Sequence, residues 1–260
     1  MKKRYLFKTI FIFVFFILIF FILNKPNNTL YKINIIEEPN SNVFIEDFNS
    51  PLDTNYWNII EQGNNPNNSL QYFTPKNITV QDGFLSINAL KEKYKDHNYT
   101  SGMITTKNKF EFLYGRIIIK AKPAIGDGLL SAIWLLPSEN NKYIEVDMIE
   151  VLGSDYNTLW TGTHYYDLKK RNKYFKTYNN YNDFFTYELE WNEKEIKCYI
   201  NNNLYYTTRV GIPHEKMYLI LNLDVGGNWP GKPNNNIFPA SFLIDYIAII
   251  PREDNKWVYY

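Results

Sequence analysis

The 260-residue sequence has a single cysteine, only three histidines and almost no stretch with helical periodicity. With one thiol, Cys198, no intrachain disulfide can form, so stability has to come from a packed core. Its setting, Ile196-Lys197-Cys198-Tyr199-Ile200, alternates as a strand does and marks a buried thiol rather than a nucleophile. His97, His164 and His214 with that lone cysteine make no cluster for a catalytic transition metal, and no Gly-x-Ser-x-Gly signature of a serine hydrolase occurs. An excess of charge of either sign is missing too. Lys and Arg number 28 against 27 Asp and Glu, a net charge of +1, so no global field draws the chain to nucleic acid or to an acidic membrane. The basic run Lys169-Lys170-Arg171, with Lys173 and Lys176, reads as a solvated loop, with an anionic polysaccharide or phosphate as the alternative ligand. There is no internal repeat and no sign of a second folded domain.

What is abundant is aromatic. Tyr, Phe and Trp make up 18% of the chain, with 22 Tyr and 6 Trp. That content suits stacking on flat neutral ligands such as sugar rings, and equally suits strands rich in tyrosine. At the N-terminus Lys2, Lys3, Arg4 and Lys8 precede an unbroken apolar run from Ile10 to Leu23, the pattern of an export signal. Residues 1–24 are therefore expected to be a signal peptide or an uncleaved signal anchor, placing the protein outside the cytoplasm, secreted or tethered. A polar linker is expected over 25–42 and one catalytic domain over 43–260, with membrane contact only through the first segment and a monomer as the folded unit.

Beyond residue 42 the sequence reads as short strands separated by turns. Val43-Phe44-Ile45 comes first. Ile78-Thr79-Val80 and Phe84-Leu85-Ser86-Ile87 flank Asp82-Gly83 as a hairpin. Further strands are expected over 115–121, 129–135, 144–151, 186–191, 196–200, 218–225 and 242–250. Many short strands with frequent turn residues predict an all-β fold, a two-sheet sandwich of jelly-roll type.

One of these strands carries the chemistry. In Tyr143-Ile144-Glu145-Val146-Asp147-Met148-Ile149-Glu150-Val151 three carboxylates alternate with apolar residues. A helix would scatter them in direction. On a regular strand Glu145 and Asp147 share a face and Glu150 points to the other. One extra residue between Asp147 and Glu150, a β-bulge, restores the parity and puts all three acids on one face. An i, i+4 pair of Cα atoms on a strand lies roughly 13 Å apart, so two glutamates leaning inward could bring their carboxyls to about 5–5.5 Å, the separation in a retaining glycosidase. The aspartate between them could share a proton and push the two glutamate pKa values apart. The plain alternative is a solvated edge strand. Against it stand Ala132-Ile133-Trp134-Leu135-Leu136 before and Val151-Leu152 after, which point to a central strand where like charges need a reason. His164, on the strand that follows, could hydrogen-bond a carboxylate or a sugar hydroxyl.

A series of segments surrounds this motif: Asp47-Phe48-Asn49, Leu70-Gln71-Tyr72, Thr100-Ser101-Gly102, Tyr114-Gly115-Arg116, Ala132-Ile133-Trp134-Leu135-Leu136-Pro137, Thr163-His164-Tyr165, Tyr187-Glu188-Leu189-Glu190-Trp191, Leu221-Asn222-Leu223, Gly226-Gly227-Asn228-Trp229-Pro230-Gly231 and Asp245-Tyr246. In this order they resemble glycoside hydrolase family 16, in its laminarinase-like branch of endo-β-1,3-glucanases, over nearly everything from 43 to 250. The resemblance implies a curved concanavalin A-like jelly roll with a concave substrate cleft and a retaining double displacement. It assigns Glu145 as nucleophile, Glu150 as general acid/base and Asp147 as the assisting group between them. It places His164 near the acids and Trp134, Asn228 and Trp229 in the substrate cleft. It requires no cofactor for catalysis and implies a structural calcium held by Asp47, Gly83 and Asp245, which otherwise read as an ordinary turn and strand ends. The implied partner is a β-glucan, laminarin-type or mixed-linkage, with no nucleic acid. Met103, Leu130, Ser69 and Asp167 depart from the residues usual at those positions, and the first two bear on substrate preference and affinity more than on the reaction. A non-catalytic glucan-recognition module on the same fold, or a hydrolase of another β-linked polysaccharide such as a galactan, are the competing readings.

Overall fold

The computed structural model describes residues 43–139, 144–165 and 175–252. The N-terminal segment and linker, Asp167, and Lys169 to Lys173 of the basic run lie outside the described residues. Among the described residues no helix is long and apolar enough to cross a membrane. Helical structure there is confined to three short 3-10 turns.

Strands, numbered in chain order, build two large sheets. The first runs β12 (Phe175–Tyr178), β11 (Thr158–Tyr165), β10 (Ile144–Leu152), β9 (Leu129–Pro137), β16 (Met217–Val225), β7 (Met103–Thr105) and β2 (Asn58–Ile59). The second runs β15 (Asn203–Thr208), β14 (Ile196–Ile200), β13 (Phe185–Trp191), β8 (Gly115–Lys122), β17 (Ala240–Pro251), β5 (Phe84–Ala89) and β4 (Ile78–Gln81), with β1 (Phe44–Glu46) also paired to β17. A parallel ribbon of β3 (Gln71–Phe73) and β6 (Tyr99–Ser101) completes the set. Pairing within both large sheets is antiparallel, as the short turns between strands require.

Alternation decides which side chains meet in the middle. In the first sheet Ile149, Ile133, Leu221 and Ile104 form one inward row across β10, β9, β16 and β7, and Val146, Leu135 and Leu219 form another. All are buried. They close on the apolar face of the second sheet, where Leu85, Ile87, Ile117, Ile119, Leu189, Ile244 and Ile247 join the same core. The result is the two-sheet sandwich that the strand pattern predicts. The Asp82-Gly83 turn joins β4 to β5 with φ of 53° and 73°, the doubly positive backbone of a tight hairpin.

Several expected strands extend by one to three residues, and β2, β3, β6, β7, β12 and β15 were not among the expectations. Those segments are two to six residues long or rich in Asn and Tyr, so their apolar alternation is too brief to read. Cys198 is buried in β14 as its alternation predicts. The tyrosine excess divides between core and surface. Tyr181 and Tyr187 fill the interior, whereas Tyr72 packs on Tyr94 and Tyr56 on Phe44.

Gly128, just before β9, has a φ of +81°, and a Cβ there would sit 2.4 Å from Pro233 Cα and 2.5 Å from its N. Gly231 has a φ of +77° but open space around it. Gly231→Ala should therefore lose about 1–2 kcal/mol from the left-handed backbone alone. Gly128→Ala should lose more, because backbone must also move. Urea unfolding of the two variants checks the order, and equal losses would contradict it.

Candidate active site

The centre of the first sheet explains how three acids come to share one face. On the β11 side Glu145 lies opposite His164, Asp147 opposite Gly162 and Glu150 opposite Trp160. The partners step by two each time, while β10 steps by two and then by three. On the β9 side Asp147 lies opposite Trp134 and Ile149 opposite Ile133, leaving Met148 as the extra residue. This is the bulge that the parity of the motif demands. Thr161 Oγ1 donates to the Met148 carbonyl at 2.9 Å and shares a 2.7 Å hydrogen bond with Tyr205 Oη from β15. The irregular backbone is thus held across the interior by a side chain of the opposite sheet.

The outward rows follow from the same register. One holds Gly162, Asp147, Trp134 and Ile220, and the next holds Trp160, Glu150, Ala132, Asn222 and Met103. A third holds Leu152, Leu130 and Asp224. His164 Nε2 lies 2.9 Å from Asp147 Oδ2 and 3.9 Å from Glu145 Oε1. The ligating atoms of these three residues all lie within 4.8 Å of one another. Asp147 is buried, and the imidazole is the group placed to share charge or a proton with it.

Glu150 has a buried Oε2 with no hydrogen-bond partner. Burial first, then the negative charges of Asp147, Glu145 and Asp224, hold its carboxyl well above the ordinary carboxylate range. A protonated carboxyl with a free oxygen, beside a second glutamate on the same face, can donate a proton to an incoming group while the other stays ionised.

The remaining sequence expectations distribute as follows. Trp134 stands in the Asp147 row, and its Nε1 donates to Asn222 Oδ1 at 2.7 Å. Trp229 is 37% exposed and packs edge-on against Trp160, ring centres 5.6 Å apart. Asn228 is tied to the 65–70 segment: its N donates to the Asn67 carbonyl at 2.8 Å, and its Oδ1 accepts from Asn68 Nδ2 at 3.0 Å. Asp47, Gly83 and Asp245 lie with the second sheet, away from the acids. Asp245 is ion-paired with Lys120 at 2.9 Å, and both Asp47 oxygens accept from Asn49. With an ammonium already beside Asp245, these three residues as they stand do not fit a calcium ion.

Trp160, Asn222 and Asp224 were missed as site residues. For Asp224 a signal existed: an acid within the apolar run Leu219-Ile220-Leu221-Asn222-Leu223-Asp224-Val225 needs the same explanation that singled out β10. Ser69, one of the departures noted above, turns its Oγ to Asp224 Oδ2 at 3.5 Å.

Comparison with known proteins agrees with this geometry. The family model for glycosyl hydrolases family 16 matches residues 65–247. Glucan endo-1,3-beta-glucosidase A1 of Niallia circulans is 31% identical over 254 residues, covering 80% of this chain and 37% of that protein. A beta-glucanase of Rhodothermus marinus is 29% identical, covering 74% of this chain and 76% of that protein. The chain thus spans little more than a third of the first relative and about three quarters of the second. The laminarinase catalytic domain of Thermotoga maritima superposes with a TM-score of 0.75 at 29% identity, over 81% of this chain and 98% of that one.

The raised pKa of Glu150 has a consequence for stability. A carboxyl whose folded pKa lies above the ordinary 4.5 contributes most to stability below that value, and the contribution is lost as pH rises through the folded pKa. Glu150→Gln removes the loss. Thermal melting should show the Gln variant above the wild type at about pH 8 and the gap closing as pH falls below 4.5. A variant that melts lower than the wild type at the alkaline end would contradict this origin.

Proposed function

The chain belongs to glycosyl hydrolase family 16, and on that premise we propose that it is a retaining endo-glycosidase cleaving β-1,3-glucosidic bonds of laminarin-type or mixed-linkage glucan. The observation that carries the reading is the bulged β10, which sets Glu145, Asp147 and Glu150 on one face with the Glu150 carboxyl raised well above the ordinary range by burial and its acidic neighbours. In the first step Glu150 gives its proton to the glycosidic oxygen as Glu145 attacks the anomeric carbon. The leaving chain departs and a glycosyl ester forms on Glu145. In the second step Glu150, now ionised, takes a proton from water, and the hydroxide displaces Glu145 with a second inversion. Asp147, paired with His164, lies between the glutamates, and its charge helps hold the Glu150 carboxyl raised so that it is loaded with a proton.

Substrate binding in this reading falls to Trp134, Trp160 and Trp229, whose rings flank the acids and offer faces or edges to glucose. The names of the relatives, a glucan endo-1,3-beta-glucosidase and a beta-glucanase, support β-glucan as the substrate class. The basic residues ahead of the Ile10–Leu23 apolar run support action outside the cytoplasm, with the enzyme released or tethered there.

The test is release of reducing ends from laminarin, lichenan, agarose and carrageenan by the purified protein. Laminarin should be cleaved, with products that keep the β-configuration in the first minutes by NMR. Glu145→Gln and Glu150→Gln should each lower kcat by about 10²–10⁴-fold or more. Binding of laminarin without cleavage by the wild type would favour a recognition module, and cleavage of a galactan alone would move the substrate class.

A further inference from the structure

Beside the acids, in the same outward rows, a second polar system runs through otherwise apolar strands, and every orientation within it is forced. An indole N–H can only donate, so the amide oxygen of Asn222 faces Trp134 Nε1, at 2.7 Å. The Asn222 amide nitrogen is thereby turned the other way, and it donates to Asp224 Oδ1 at 3.0 Å. Gln71 repeats the pattern from β3. Its Oε1 accepts from the backbone N–H of Val225 at 2.8 Å, and its Nε2 donates to the same Asp224 Oδ1 at 2.9 Å. Two buried amides, each oriented at its far end by a group that can only donate, converge on one oxygen. An ionised carboxylate, which only accepts, is the group that satisfies both.

We propose that Asp224 is a positioning residue for glucan binding, fixing the Asn222 amide and through it the indole of Trp134 beside the acids, while anchoring the 69–71 segment. The inference rests on the glucanase reading for its substrate, but the relay itself is a property of the fold. Asp224 touches none of the reacting groups and stands one row beyond Glu150.

The relay is responsive to pH. Burial pushes the Asp224 carboxyl up to about 6, against the pull of Asn222, Ser69 and Gln71. The groups facing it from β9, β7 and the 69–71 segment are neutral: Leu130, Met103, Ser69 and Gln71. From β10 Glu150 is the acid its charge reaches, with Glu145 and Asp147 beyond, and β11 contributes His164 beside those two. Protonation on Oδ2 turns Ser69 Oγ from donor to acceptor and leaves Oδ1 uncharged. Both amide contacts then lose their charge-assisted strength, and the hold on Trp134 slackens. Asp224→Asn is the isostere of that protonated state at every pH.

The experiment follows intrinsic fluorescence between about pH 4.5 and 7.5 in the wild type, Asp224→Asn, Trp134→Phe and Asn222→Leu. A transition with a midpoint near 6 is expected in the wild type and in none of the variants. Asn222→Leu cuts the relay while Asp224 still titrates, so it serves should Asp224→Asn fold poorly. In parallel, KM for laminarin should rise roughly threefold to tenfold in the wild type as pH falls through the transition, and stay at the raised value in Asp224→Asn at all pH. A transition that survives in Asp224→Asn or in Trp134→Phe, or a wild type without one, overturns the proposal. So does an effect of Asp224→Asn confined to kcat. Fluorescence that behaves as expected in a wild type that neither binds nor cleaves laminarin would support the relay and overturn the glucanase reading.

Discussion

One unpaired residue governs the site. Met148 has no opposite number on β9; were it paired in a regular ladder, Glu150 would point into the core while Glu145 and Asp147 faced out. A carboxyl in that interior, among Ile133, Leu221 and Ile104, would have no donor to meet it. The bulge therefore does two things at once. It rescues the core from a charge, and it brings a third acid to a face that already has two. The irregular carbonyl it creates is satisfied by Thr161, whose hydroxyl is itself held by Tyr205 of the other sheet. The catalytic face is thus supported from behind by a contact that crosses the sandwich, which ties the position of the acids to the packing of both sheets.

The electrostatics follow from that crowding. Three carboxylates on adjacent rows of one strand repel, and among the described groups beside them the imidazole of His164 stands 2.9 Å from the middle one, Asp147. The aspartate that sits deepest has a partner, and the glutamate with the unpartnered buried oxygen takes the raised pKa. In the proposed double displacement this division would separate the acid from the nucleophile on chemically identical side chains. It also means that the fold carries an unfavourable interaction at the place where the chemistry needs it, which is the usual relation between stability and activity at such sites.

The sequence made much of this legible because strands alternate with period two. An apolar strand bearing three acids at spacings of two and three contradicts that period unless a residue is extra, so the bulge could be placed to within the Asp147–Glu150 interval before any coordinates. The long core strands were legible for the same reason, since seven or more alternating residues leave little ambiguity. What escaped was non-local. Nothing in Thr158–Tyr165 says that Trp160 stands opposite Glu150 rather than one residue away, because the register is set by pairing. Asn222 and Asp224 were visible as polar residues in an apolar run, but their meaning depends on Gln71, some 150 positions earlier. The ion pair at Asp245 was hidden for a comparable reason. Lys120 lies far from Asp245 in sequence and next to it across β8 and β17.

The pattern of departures separates chemistry from recognition along the rows of the sheet. His164 and Trp134, in the rows of Glu145 and Asp147, are residues that the family motif leads one to expect. Of the residues that differ, those described are Met103 at the end of the Glu150 row, Leu130 in the row beyond, and Ser69, which contacts Asp224 in that same row. Bond cleavage needs only the acids and their immediate partners, whereas the rows beyond Glu150 would meet sugar units farther along the chain. Leu and Met there set what can stack or hydrogen-bond, by up to a few kcal/mol in aggregate, without touching proton transfer. Asp224 belongs to those outer rows by position yet reaches inward through Asn222 to Trp134, so it is the point at which a change in recognition can be felt at the reacting centre.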